Sequence, residues 1–371
     1  MRSKPIILID TGIIGGPGRG LFQLLRELKQ QSSDYLLCNF RYRKPKSEEF
    51  INEAKKHQFT LALLDQRFRL DPLPIWQFFK LLKRGRYNII QSHGYKSHLV
   101  AAIVSKFTGV PWVAFTHGST REDLKVTLYH KLDQFLLRFP TVVVTVSPLL
   151  TKTFSKLRGK HKRTELILNA VDSADIAGER GGEAVRRDCE APADTVLIGC
   201  FGRLSFEKGQ DILLQAFAQI HEHFAHTKLL ILGSGLNKPM LESMCIKLGI
   251  KDKVYFTNHS SAMRDYYEAI DLLVLPSRSE GLPNVVLEAM IFKVPVLASD
   301  VGAIREIISH DINGWIVESG DQNALALSLR KLLLDKSQLK RMGKIAHDSL
   351  GTKFCPRIRA KKILALYESV L

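Results

Sequence analysis

Short apolar runs alternate along this chain with longer segments whose apolar residues recur every three or four positions. Pro5-Ile6-Ile7-Leu8-Ile9 reads as a buried strand, and the segment after TGIIGGPGRG places Leu21, Leu24, Leu25 and Leu28 on one helical face. Further apolar runs stand at 61–64, 88–91, 112–115, 142–146 and 166–168, with helical stretches between them. This βα alternation predicts a largely parallel, doubly wound sheet with its ligand sites at the carboxyl ends of the strands. A polar, glycine-rich stretch at 173–194 reads as a link. The rhythm then restarts, with strands expected at 196–200, 228–232, 254–256, 272–275 and 313–317 and helices over 321–350 and 356–371.

Composition sets the class. At 371 residues, 45% hydrophobic and 25% charged, the chain has about two domains' worth of soluble globular sequence. No run approaches the ~18 apolar residues of a membrane span, and the start, MRSKPIILID, is too short in apolar residues for a signal peptide. The five cysteines are odd in number and show no C-x-x-C spacing, as expected of reduced thiols in a cytoplasmic protein. Charge is lopsided: residues 1–173 hold 29 Lys+Arg against 13 Asp+Glu, and residues 174–371 hold 25 against 24. The net +16 of the first part calls for a negatively charged partner there, whether nucleic acid, acidic acceptor or membrane surface.

The richest chemistry lies in 276–306, PSRSEGLPNVVLEAMIFKVPVLASDVGAIRE. A buried strand ends at Leu275, Pro276-Ser277 turns the chain, and a helix should start with Asn284 as its cap. Backbone N–H groups at a helix N-terminus favour anions, so a diphosphate fits the loop from Gly281 through Leu282 and Pro283 to Asn284. Glu280 and Glu288 bracket that loop; carboxylates are poor phosphate ligands but good acceptors for sugar and ribose hydroxyls. Taken singly, either glutamate reads better as a solvated residue of an ordinary strand, turn and helix. Together, S-x-x-E-G-x-P-x-x-x-x-E-A-M resembles the retaining GT-B glycosyltransferases of family 4. That resemblance implies that Glu280 contacts the transferred sugar, Glu288 the ribose, and the backbone of 281–284 the sugar and phosphate. Lys293 departs from the pattern, standing where the family usually has glycine.

The same resemblance organises the rest. It implies a GT-B fold, two Rossmann-like domains facing across a cleft, with an acceptor domain at 1–173, a nucleotide-sugar domain at 174–352, and a last helix at 353–371 crossing back to the first. Phe201-Gly202-Arg203-Leu204 followed by Glu207-Lys208-Gly209 matches a family motif in which Arg203 and Lys208 clamp the diphosphate, a planar fork plus a point charge. Gly15-Gly16 would let the first loop approach donor phosphate or acceptor, although a plain strand-to-helix turn explains the pair as well. Two strand ends carry histidine, Ser92-His93-Gly94 and Thr116-His117-Gly118. The resemblance places His117 at the donor sugar across the cleft, with His93 a candidate on the acceptor side beside the basic Arg41, Arg43 and Lys44. Thr257-Asn258-His259 stands where related enzymes hold the base, with Asn258 replacing a glycine.

The implied activity is retaining transfer of a hexose or N-acetylhexosamine from a UDP- or GDP-sugar. The acceptor would be an anionic glycan or lipid-linked saccharide of cell-surface polysaccharide or lipopolysaccharide synthesis, at the cytoplasmic face of an anionic membrane. The sequence has no D-x-D, so no metal or other cofactor is expected, and Arg203, Lys208 and a helix dipole would neutralise the diphosphate. A GT-B phosphorylase or NDP-sugar epimerase would use the same pocket. A basic nucleic-acid-binding module would explain the charge, but the chain has no helix-turn-helix, zinc or RNP-type signature, so no nucleic-acid partner is expected.

Overall fold

The computed structural model describes residues 3–43, 47–68, 71–117, 124–159, 162–258, 260–351 and 353–371, with the side chains of 124–128 set aside. The chain divides into two compact units, one of Met1–Asn169 with Pro356–Leu371, the other of Ala170–Cys355. Residues 170–173 and 353–355 therefore lie in the second unit.

In unit 1 the strands are β1 (Pro5–Ile9), β2 (Leu36–Tyr42), β3 (Leu61–Gln66), β4 (Ile89–His93), β5 (Trp112–Thr116), β6 (Val142–Thr145) and β7 (Arg163–Leu166). They form a parallel sheet in the order β3-β2-β1-β4-β5-β6-β7. The helices between them are α1 (Gly16–Gln30), α2 (Glu49–Lys56), α3 (Leu73–Gly85), α4 (Tyr95–Thr108), α5 (Leu124–Leu136) and α6 (Pro148–Arg158). Because a central parallel strand is covered on both sides, β1 is apolar throughout: Ile7 and Ile9 face α1, and Ile6 and Leu8 join the core against α3 and α4. The expected strand at 166–168 instead runs from Arg163 to Leu166, since an edge strand paired only with β6 needs no apolar run. On α3, Phe78 and Leu82 are buried and Phe79 is exposed.

Unit 2 repeats the plan with β8 (Val196–Phe201), β9 (Thr227–Leu232), β10 (Val254–Thr257), β11 (Leu272–Leu275), β12 (Val296–Ser299) and β13 (Trp315–Val317), parallel in the order β10-β9-β8-β11-β12-β13. Its helices are α7 (Gly182–Asp188), α8 (Gln210–Ala218), α9 (Lys238–Lys247), α10 (Met263–Ala269), α11 (Asn284–Ile291), α12 (Ile304–Ile307), α13 (Gln322–Leu334) and α14 (Lys336–Leu350). The stretch at 173–194 is more than a link. Its backbone N–H groups at Glu179 and Arg180 donate to the Asp265 carboxylate at 3.0 and 2.8 Å, which docks α7 beside α10.

The last helix, α15 (Pro356–Glu368), belongs to unit 1. Ala360, Ile363, Leu366 and Tyr367 enter the same core as α1, and the buried Arg359 donates from Nη1 to the Gly20 carbonyl at 2.8 Å. Each sheet reverses its strand order once, between β1 and β4 in unit 1 and between β8 and β11 in unit 2. Open α/β sheets bind ligands outside the strand ends at such points.

Candidate active site

At the reversal in unit 2, the loop after β8 carries Arg203 and Lys208 and the loop after β11 carries Ser277 and Glu280. Lys208 Nζ donates to Glu280 Oε1 at 2.6 Å, and Ser277 Oγ donates to the same oxygen at 2.7 Å. The Glu280 side chain is only 8% exposed and that of Lys208 24%, so the pair is partly shielded from solvent. Two side chains outside the expected set pin the loops together. Arg278 grips the Asp211 carboxylate through both terminal nitrogens at 2.8 and 2.6 Å, and the Arg278 backbone N–H donates to the Glu207 carbonyl at 2.7 Å. A fork-to-carboxylate pair is directional as well as strong, which fixes where Lys208 and Glu280 meet.

Gly209 and Gly302 let these loops approach closely. Gly209 has φ +65° and a Cβ there would lie 2.1 Å from the Pro276 carbonyl oxygen, so a side chain would push the two loops apart. Gly302, at φ +62°, sits against the carbonyl oxygens of Glu280 and Gly281 at 2.4 Å from where its Cβ would be. The Ala303 N–H donates to the Gly281 carbonyl at 2.9 Å and completes the support of the loop.

Asn284 is not the cap of α11. It is the first helical residue, and Pro283, held by its ring in an extended conformation with φ −75° and ψ 111°, occupies the cap position. The N-terminal N–H groups of α11 still follow directly on Gly281, Leu282 and Pro283, of which Leu282 is buried. One turn on, Glu288 is 4% exposed and its Oε2 accepts from the Tyr267 hydroxyl at 2.8 Å. Tyr267, on α10, carries no sequence motif that would single it out. Arg203 is exposed at its side chain while its carbonyl accepts from Gln210 Nε2 at 2.9 Å. Lys293 takes φ +60°, the value a glycine would supply, so the α11 terminus keeps its turn with lysine in place. Of Thr257-Asn258-His259, His259 lies outside the described residues.

In unit 1, β1 and β4 end side by side at the reversal, with Ile9 opposite His93. Gly15 caps α1 and Gly16 opens it; neither has a positive φ, and a Cβ on Gly15 would meet only Pro17, at 3.9 Å. Gly15 is thus not demanded by the turn. His93 is buried, with Nε2 2.6 Å from Gln91 Nε2 and Nδ1 3.3 Å from His117 Nε2. Both its ring nitrogens are therefore engaged within the protein. Burial first, and then the neighbouring His117, hold the His93 pKa well below the ordinary range; burial and the Arg359 charge bring that of His117 down to about 3. Both rings are neutral near pH 7. Arg41 pairs with Asp65 at 2.6 Å, Arg43 is exposed, and Lys44 lies outside the described residues.

Beside Arg43, a cavity of about 670 Å³ is lined by Tyr42, Arg67, Phe68, Tyr95, Lys96 and Tyr129 among others. Tyr95 and Tyr129 stack at 4.9 Å, and Lys96 Nζ sits 4.4 Å from the centre of the Tyr42 ring. Among the described residues no three His, Cys, Asp or Glu side chains converge as a metal site. None of the described helices is long and apolar enough to cross a membrane.

Two family models match in tandem, "Glycosyltransferase Family 4" over residues 14–175 and "Glycosyl transferases group 1" over residues 183–349. The chain is a GT-B glycosyltransferase. The transferase is 27% identical over 305 residues to a D-inositol 3-phosphate glycosyltransferase of Corynebacterium urealyticum, covering 76% of this chain and 72% of that one. It is 25% identical over 372 residues to the N-acetyl-alpha-D-glucosaminyl L-malate synthase of Bacillus anthracis, covering 96% and 93%. Among solved structures, Anabaena HepE in complex with UDP and glucose superposes with a TM-score of 0.85 over 100% of both chains at 21% identity, a likeness of fold.

Proposed function

We propose that this transferase moves a hexose or N-acetylhexosamine, with retention, from a UDP- or GDP-sugar to an anionic glycan or lipid-linked acceptor in cell-surface polysaccharide or lipopolysaccharide synthesis. The observation that carries the donor half is the meeting of Lys208 and Glu280 at 2.6 Å where the strand order of unit 2 reverses. A cation there suits the diphosphate, and a shielded carboxylate beside it suits a sugar hydroxyl. In this reading Arg203, Lys208 and the N-terminus of α11 take up the charge of the leaving diphosphate without a metal, Glu288 holds the ribose, and Glu280 and His117 hold the sugar. The carbon–oxygen bond to the diphosphate breaks toward an oxocarbenium-like sugar, and the acceptor hydroxyl attacks from the face the diphosphate leaves, its proton passing to the departing diphosphate oxygen. HepE, of the same fold, binds UDP and glucose, which favours a nucleoside diphosphate here.

The acceptor half rests on charge. The +16 of residues 1–173 and the cavity that sets Arg43 and Arg67 beside Tyr42, Phe68, Tyr95 and Tyr129 suit a saccharide ring carrying a phosphate or carboxylate. The two relatives described above are named for inositol 3-phosphate and malate, both anionic. On α3, Trp76 is 54% exposed and Lys80 Nζ lies 3.5 Å from its ring centre, close to Lys83 and Arg84. A basic, aromatic face of this kind supports peripheral binding to anionic lipid, at about 1 kcal/mol per basic residue near the surface.

A thermal-shift panel of UDP, GDP, ADP and TDP tests the donor reading. One of UDP and GDP should stabilise the protein, by about 2.7 kcal/mol at ~100 times its Kd. Arg203→Ala with Lys208→Ala should abolish that shift while leaving the free protein's melting point in place. Stabilisation by none of the four, or a double variant that melts without ligand, counts against it.

A further inference from the structure

Four side chains of unit 1 form a directed line of hydrogen bonds that ends at His117. Tyr367, fully buried on α15, donates its hydroxyl proton to Gln91 Oε1. Gln91 Nε2 stands 2.6 Å from His93 Nε2, and His93 Nδ1 stands 3.3 Å from His117 Nε2. The rings are held as well as bonded: His93 stacks on Phe115 with ring centres 4.9 Å apart, and the His93 and His117 rings lie within 15° of parallel with centres 5.6 Å apart, which keeps the bond between them close to both ring planes.

The polarity of the line follows from the Gln91 amide, whose oxygen faces Tyr367 and whose nitrogen faces His93. An amide oxygen only accepts and an amide nitrogen only donates, so Gln91 gives a proton to His93 Nε2, which must be bare. The His93 proton then sits on Nδ1 and is donated to His117 Nε2. That nitrogen too must be bare, and the His117 proton sits on Nδ1. His117 Nδ1 is buried and has no partner within the protein. A buried N–H without a partner is destabilising, and an incoming oxygen recovers that cost.

We propose that Tyr367, Gln91 and His93 are positioning residues that hold His117 as a neutral Nδ1–H tautomer, a hydrogen-bond donor to an oxygen of the substrate and not a general base. The return of α15 to unit 1 then has a chemical consequence, since it delivers the hydroxyl that orients Gln91. The part played by substrate rests on the assignment of His117 to the transferred sugar; the tautomer does not.

The test separates the two. In the full chain labelled with ¹⁵N-histidine, the imidazole two-bond correlations at neutral pH, assigned with His117→Gln, should show the His117 proton on Nδ1. Gln91→Leu should turn this into a mixture of tautomers, and Tyr367→Phe should do so to a lesser degree. Turnover of the NDP-sugar selected by the nucleotide panel should fall about tenfold in kcat with KM nearly unchanged, the size of one hydrogen bond made in the transition state. A proton on Nε2 in the native protein, or a tautomer unmoved in a folded Gln91→Leu protein, overturns the relay. A tautomer that shifts while turnover stays constant leaves the relay standing and removes His117 from the sugar site.

Discussion

Lys208 Nζ lies 2.6 Å from Glu280 Oε1, so a cation expected on the diphosphate and a carboxylate expected on the sugar meet before any ligand arrives. Ser277 Oγ shares that oxygen at 2.7 Å and keeps the carboxylate in place when the lysine turns to a phosphate. Replacing Glu280 by Gln preserves shape and removes charge. Turnover should drop while nucleoside diphosphate affinity stays nearly intact. Lys208→Ala should do the reverse, weakening nucleotide binding roughly tenfold to a hundredfold, the range of a hydrogen bond to a charged group. Calorimetric titration beside single-turnover kinetics distinguishes them; equal loss of nucleotide affinity in both variants would dissolve the division of roles.

Each of those two residues is legible in sequence, but their meeting is not. They are 72 positions apart, and only the order β8-β11 in the sheet brings their loops together. The βα rhythm is readable because buried parallel strands must be apolar on both faces, which is why β1, β8 and β11 stand out and the edge strand β7 does not. Pro283-Asn284 misleads because both residues favour a helix start, and proline's fixed φ takes the cap while asparagine becomes the first turn. Gly181-Gly182 looks like a linker, yet its neighbours' N–H groups are held by Asp265, a contact that spacing along the chain does not announce. Tyr267 and Gln91 have no local signature at all; their roles exist only through the partners that folding supplies.

Glu288 and Tyr267 form a buried bond of 2.8 Å, and this separates a structural from a ligand-binding role. Tyr267→Phe should lower stability by about 1 kcal/mol, one net hydrogen bond, with less than tenfold change in nucleotide affinity. Glu288→Ala should cost about as much stability and weaken the nucleotide roughly tenfold to a hundredfold besides. Urea unfolding paired with nucleotide titration decides the matter. Unchanged affinity in Glu288→Ala would make the glutamate a partner of Tyr267 alone.

Lys293 ends α11 in a left-handed conformation, φ +60°, with the Val294 N–H on the Ala289 carbonyl at 3.0 Å and the Lys293 N–H on Met290 at 3.1 Å. This is the terminus that glycine favours, because a Cβ in that region costs about 1–2 kcal/mol. Lys293→Gly should therefore stabilise the protein by about 1 kcal/mol after glycine's extra freedom in the unfolded chain is discounted. The urea midpoint should rise with no change in the slope of the transition. A lower midpoint would mean that the lysine side chain contributes more than its backbone costs.

The neutral pair His93 and His117 gives stability a pH dependence with a definite sign. In the unfolded chain each takes a proton near the ordinary value of 6.5, whereas in the fold burial holds both below it, His117 down to about 3. Between those limits the unfolded state binds more protons, so stability is full above pH 6.5 and declines as pH falls toward the folded values. The limiting slope is about 1.4 kcal/mol per pH unit for each ring. Carboxylates depressed by their partners, such as Asp65 beside Arg41 and Asp71 on the N–H groups of Arg67 and Leu73, lose stability in the same direction but only as pH falls below the ordinary 3.8. The interval from about pH 6.5 to about 4.5 thus isolates the histidines. Urea titrations across it should give a falling free energy of unfolding, with a flatter line when His93 and His117 are both replaced by Gln. Parallel lines for the two proteins would show that neither ring is held neutral by the fold, and the donor form of His117 would lose its basis.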